Sequence, residues 1–425
     1  MWPFPRSDLR PAAIAAAITF ILAAHLIGRV GSFCSPVRAD SYAYSCIGYK
    51  IAQGGRFYSP ELSDVKPPAL YHLYAIGYAF LPAGREAMIP FDSLIGLLGY
   101  WAVYLLARDL YGRGVGLILA VVAAFAQNAL NVWDFGTEAF GLAESFMILP
   151  AAMAVRHYRR GLRESATTPL LWCGLWLGIE ASFKQTALPL FLTVAVHWVG
   201  LAILRRIGWR RFLGAAAAMI AGVVIALAPW AVYLMACGTW WRMLDVLGPG
   251  ALSQLNKSTA RPDQWSNVLP LWVAMAWAAI GLFWWIEAQG RKESARIDPR
   301  WPTHSVDVAF LLIWLALEYV MLIVLPVRSF HYYVVSSLPL ILLAGTFWSA
   351  IMTTANRLPG TAALASLSVA AFASIALART AIDRIVPMAI ARYQSYDAQA
   401  DRAFFDNMVA REVINSGLPP DSELR

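Results

Sequence analysis

The chain has 425 residues, 59% of them hydrophobic and 14% charged, where a soluble domain carries about 25% charged residues. That excludes an ordinary soluble enzyme. The net charge of +8 does not point to nucleic acid, because the arginines sit in short clusters between apolar runs, where they set membrane topology.

A bilayer-crossing helix needs about 20 apolar residues. Eleven runs qualify: 11–30, 88–107, 114–133, 138–155, 168–183, 185–204, 212–236, 267–287, 306–327, 330–352 and 361–378. The chain therefore reads as an all-α integral membrane protein with about 11 transmembrane helices in one polytopic domain over 1–378. Arg6 and Arg10 precede the first run as in a signal peptide, but no small-residue cleavage site follows, so the run reads as a retained helix. With a cytoplasmic N-terminus, "MWPFPRSDLR", "RDLYGR", "RHYRRGLRES", "RRIGWRR" and "RKESARIDPR" all fall in cytoplasmic links. The stretch 67–82 is also apolar. Counting it as a span would invert every later cluster, so it reads as a helix lying at the outer interface. Two long segments, 31–87 and 237–266, then face outward, as does the polar tail 379–425, where "AFFDNMVAREVINSG" predicts an amphipathic helix closed by Gly417. Cys34 and Cys46 share the first outer segment, and whether they pair is left open.

The first outer segment, "ADSYAYSCIGYKIAQGGRFYSPELSDVKPPALYHLY", concentrates the chemistry. Asp40 precedes a helical pattern that ends at Gly54-Gly55, so it either caps that helix or acts as a carboxylate base. Lys66-Pro67-Pro68 opens the next helix, whose free N–H groups and positive dipole end favour an anion. Lys66 is either a snorkelling interface residue or a point charge for phosphate. A carboxylate and a phosphate-ready cation on one surface loop suit a reaction on a lipid phosphate.

This loop resembles the first outer loop of the polytopic GT-C glycosyltransferases, nearest to the family 39 enzymes of the protein O-mannosyltransferase and aminoarabinose–lipid A transferase type. Asp40-Ser41 stands where those enzymes often have Asp-Glu, and Tyr71-His72 where they have Tyr-Trp. "GLAESFMILPAAMAVRHYRR", "GLWLGIEASFKQTALPL" and "RSFHYYVVSSLPLILLAG" extend the likeness to residues 10–350. The resemblance implies a bacterial inner-membrane enzyme with interfacial helices in its first outer loop. It would transfer a sugar with inversion from a polyprenyl-monophosphate donor to a glycan, lipid or protein hydroxyl on the outer face. It makes Asp40 the general base and Lys66 the main phosphate contact, with Lys184 and Arg328 as further phosphate cations. Tyr44, Asp134, Glu138, Glu144, His331 and Tyr332 are substrate-side candidates. By motif, Glu144 matches the family's acid in its span; Asp134 also suits a helix cap, Lys184 an interfacial snorkel and His331 a structural hydrogen bond. No cofactor is required by these residues. No DxD motif occurs, and a divalent ion between Asp40 and an acid near Glu144 is left open.

The competing reading is a transporter or flippase of a lipid-linked or small polar solute. It rests on Glu318 in "WLALEYVML", set near mid-membrane, where acids serve proton relays. Against it, most unusual charges gather at one end of the spans, and no paired broken helices recur.

Overall fold

The computed structural model describes residues 11–33, 40–81, 89–133, 142–250, 275, 277–280, 303–324 and 333–355. Among these, regular structure is helical throughout. The first helix, α1 (Pro11–Phe33), is followed by two short ones, α2 (Asp40–Ala52) and α3 (Pro68–Phe80). Then come α4 (Ile89–Tyr111), α5 (Arg113–Trp133), α6 (Ala143–Glu164), α7 (Thr167–Phe183) and α8 (Leu188–Ile203). The bundle continues with α9 (Trp209–Ala236), the short α10 (Trp240–Asp245), α11 (Thr303–Val324) and α12 (Tyr333–Ala355).

Four described helices are long and apolar enough to cross a membrane: Pro90–Tyr111, Gln185–Ile203, Trp209–Ala236 and Val334–Met352. α3 has 13 residues and so reaches only about 20 Å, too short for a span, in keeping with its separate reading as an interfacial helix. The runs 11–30, 88–107, 114–133, 168–183, 185–204, 212–236, 306–327 and 330–352 each coincide with one helix to within a few residues. The runs 267–287 and 361–378, the tail and its amphipathic helix lie wholly or mostly outside the described residues.

One boundary differs for a physical reason. "RHYRRGLRES" reads as a link, yet α6 continues through it to Glu164. Arg and Glu are good helix formers, and their charges find partners there. Arg156 meets Asp109 of α4 at 2.8 Å, Arg159 forks onto Asp307 of α11 with both contacts at 2.6 Å, and Arg160 reaches Glu164 one turn on at 2.7 Å. Arg211, at the start of α9, donates to Leu162 O at 3.0 Å and helps close α6. These arginines occupy one end of the bundle, the arginine end. The loop between α2 and α3 occupies the other.

The seam of α7 and α9 shows how closely the helices approach. Gly174 and Gly178 repeat at four residues along α7, the small-residue spacing that lets membrane helices touch backbone to backbone. A Cβ on Gly174 would lie 1.9 Å from Met219 O, and one on Gly222 of α9 2.1 Å from Leu171 O. Replacing Gly222 with Ala therefore forces two backbones apart. The expected cost is about 1–3 kcal/mol, read as a lower unfolding temperature in detergent.

Candidate active site at the first loop

α2 and α3 cross closely because Gly48 has no side chain: a Cβ there would fall 2.3 Å from Tyr74 Cβ. Gly54, with φ +94°, ends α2 in the left-handed turn that glycine adopts without strain, as the Gly-Gly pair predicts. The chain then folds back under its own aromatic residues. Phe57, Tyr58, Tyr71 and Tyr74 are fully buried, and Tyr44 of α2 stands edge-on to Tyr71 at 5.7 Å between ring centroids.

This aromatic floor holds the Lys66 segment. Tyr58, itself in the left-handed region at φ +62°, donates its hydroxyl to Lys66 O at 2.6 Å. Burial, and then the charge of Asp64, push its phenol well above the ordinary range, so it stays a donor at all physiological pH. Asp64 accepts the Val65 N–H and the Tyr71 hydroxyl, both at 2.5 Å. It also lies 3.9 Å from Lys66 Nζ. That ammonium sits 4.6 Å from the centre of the Tyr44 ring, a cation–π placement. The α3 N-terminus carries Pro67 at its cap with no side-chain acceptor, and Pro68 in its first turn.

His72, where the resembled family has Trp, keeps an aromatic role. It packs against Tyr233 and Trp230 of α9, with centroids at 4.6 and 5.0 Å. Its Nδ1–H donates to Pro68 O at 2.8 Å, and burial holds the imidazole below its ordinary range, so it stands neutral.

A second layer descends from the bundle. The 3₁₀ turn Gln185–Ala187 follows α7, and Gln185 Nε2 donates to Val65 O, tying the turn to the residue before Lys66. Lys184, just before that turn, forms a buried ion pair with Glu144, the second residue of α6. Glu144 also lines a cavity of about 10 Å³ with Thr186, Glu318 and Ser336.

The structure thus brings Lys66 onto Tyr44, and Lys184 onto Glu144, in two layers joined by Gln185. Asp40 is the first residue of α2, four before Tyr44 and so on the same helix face. Its side chain, with Asp134, Glu138, Arg328, His331 and Tyr332, lies outside the described residues. Cys34 lies outside them as well. Sequence reasoning passed over Asp64, Tyr58, Tyr71 and Gln185. Glu318, the acid on which the transporter reading rests, shares a cavity with Glu144. Among the described residues no three His, Cys, Asp or Glu side chains converge as metal ligands. Glu144 and Asp64 are engaged by Lys184 and by Tyr71.

Comparison with known proteins bears on the fold. The dolichyl-phosphate-mannose-protein mannosyltransferase family matches residues 65–239, from the Lys66 segment to the end of α9. ArnT from Cupriavidus metallidurans bound to undecaprenyl phosphate superposes with a TM-score of 0.53 at 16% identity, over 95% of this chain and 78% of that one. This chain has the GT-C fold. The apo form of the same ArnT gives a TM-score of 0.52 at 17% identity over the same shares. The Archaeoglobus fulgidus oligosaccharyltransferase in complex with Zn and sulfate gives 0.53 at 15% identity, over 88% of this chain and 53% of that one. This chain therefore spans about half the length of the archaeal enzyme. No curated protein sequence matches it.

Proposed function

We propose that this protein is an inverting glycosyltransferase of a bacterial inner membrane. It moves a sugar from a polyprenyl-monophosphate donor to an acceptor hydroxyl at the outer face. The observation that carries this is Lys66. Its ammonium is held over Tyr44 at the uncapped head of α3, on the helix face that Asp40 shares one turn away. The undecaprenyl phosphate in the ArnT complex, a protein of the same fold, supports a lipid phosphate as the anion.

The chemistry follows from where charge develops. Breaking the anomeric bond leaves a second negative charge on the lipid phosphate, and fixed cations and N–H groups lower that barrier. Lys66 and the α3 N-terminus supply them, and Asp64 and Tyr58 hold the segment in place. Asp40 takes the acceptor's proton as its oxygen attacks from the opposite side. The test is transfer of radiolabelled sugar from a polyprenyl-phosphate sugar to envelope glycan or lipid by the purified protein. Solute movement with no bond made or broken would favour the transporter instead. Lys66→Ala is expected to weaken undecaprenyl phosphate binding at least tenfold, measured by calorimetry, and to leave acceptor binding unaltered. Equal lipid-phosphate affinity would remove Lys66 from the site.

A further inference from the structure

The link between α8 and α9, residues 204–208, joins two helices that are each long and apolar enough to cross a membrane, so it lies at the membrane surface of the arginine end. Two local rules are broken there. α8 closes in a Schellman turn, in which the Arg206 N–H donates to Leu201 O and the Arg205 N–H to Ala202 O, both at 2.9 Å. The left-handed position of that turn, at φ +53°, is held by Arg205, where glycine would meet no steric cost. α9 then starts behind Gly208 with no side-chain cap and no acid in its first turn. That puts Arg210 and Arg211 at the positive end of a 28-residue helix, where a cation is disfavoured. Arg211 is compensated, because it donates to Leu162 O at the end of α6. Arg205 and Arg210 are exposed and meet no acid among the described residues.

The turn is nonetheless held firmly. Ile207 is buried, Trp209 stacks on Phe212, and Phe212 stacks on the buried Trp198, with ring centroids 5.1 and 6.3 Å apart. Around the two arginines the surface is apolar: Ile203, Leu204, Trp209 and Leu213 are 50–74% exposed. Fixed cations ringed by aliphatic side chains and an indole at a bilayer surface match an amphiphilic anion. A zwitterionic lipid brings no net charge to the arginines, and a soluble anion leaves the aliphatic ring uncovered.

We propose that the α8–α9 link binds the headgroup of an anionic phospholipid, at the end of the bundle opposite Lys66. The lipid phosphate sits on Arg205 and Arg210, and its acyl chains run along Ile203 and Leu213. The bound anion offsets both misplaced cations and so stabilises the helix pair.

The experiment follows thermal unfolding of the full-length protein in an uncharged detergent as phosphatidylglycerol, phosphatidylcholine or inorganic phosphate is added. Phosphatidylglycerol alone is expected to raise the unfolding temperature, because it binds the folded form. Arg205→Gly and Arg210→Gln should each weaken its apparent affinity about fivefold, and the double variant about twenty-five-fold. Neither change should lower the unfolding temperature without lipid, since glycine relaxes the left-handed turn and glutamine removes a cation from the positive helix end. Arg160→Gln is the control for diffuse charge. It removes one cation at the same end, from a residue paired with Glu164 at 2.7 Å, and should leave the affinity within about twofold. A loss in Arg160→Gln as large as in Arg205→Gly overturns the site. So does a double variant that responds to phosphatidylglycerol like the wild type. Phosphatidylcholine or inorganic phosphate acting as strongly as phosphatidylglycerol overturns it equally.

Discussion

Replacing Asp40 with Asn is expected to lower sugar transfer by roughly 10²–10⁴-fold while binding of undecaprenyl phosphate persists. Asn is nearly isosteric with Asp, and at the first residue of α2 it forgoes only the charge's interaction with the helix dipole, about 1 kcal/mol or less, so the fold should be retained. What Asn lacks is the ability to accept the hydroxyl proton. Asp40 stands one turn from Tyr44, whose ring underlies the Lys66 ammonium, so the base and the phosphate cation are assigned to one small patch of loop. The separation of roles can be measured. Single-turnover transfer should collapse in Asp40→Asn, and lipid-phosphate affinity should collapse in Lys66→Ala. Turnover of Asp40→Asn near the wild-type rate would move the base elsewhere, Glu144 being the next acid to test.

The elements were legible wherever one local signal sufficed. Apolar runs near bilayer length located eight helices closely, Gly54-Gly55 marked the end of α2, and Lys66-Pro67-Pro68 marked the start of α3. Where helix ends depended on tertiary partners, the sequence misled. The arginines of "RHYRRGLRES" continue α6 because Asp109 and Asp307 arrive from other helices. The site divides in the same way. Asp40, Lys66, Lys184 and Glu144 stood out as charges at apolar borders. Asp64 did not, because an acid two residues from a lysine in a polar loop looks solvated, and its bond to Tyr71 forms only once the two prolines turn the chain. The pairing of Lys184 with Glu144 spans 40 positions and exists only in the packed bundle. Gly174 and Gly178, at small-residue spacing within "GLWLGIEASF", were visible too.

The Lys184–Glu144 pair should behave as a buried ion pair does, costly to break and cheap to replace. Lys184 and Glu144 are 5% and 2% exposed. Glu144→Leu takes away an anion bonded directly to the ammonium and should destabilise the protein by about 3–5 kcal/mol, and Lys184→Met should cost a similar amount. The double variant Glu144→Leu/Lys184→Met removes both charges together and fills their volume with apolar atoms. Its cost should fall well below the sum of the two single changes, measured as a double-mutant cycle on unfolding in detergent. Additive losses would mean that the two side chains act independently. Activity should follow a different course from stability. Lys184 stands at the cap of the turn that presents Gln185 to Val65 O, so its placement bears on the Lys66 segment. Restoring stability in the double variant should therefore leave lipid-phosphate binding impaired. If binding recovered along with stability, the pair would be scaffolding alone, and Lys66 would carry the phosphate without help from the layer above.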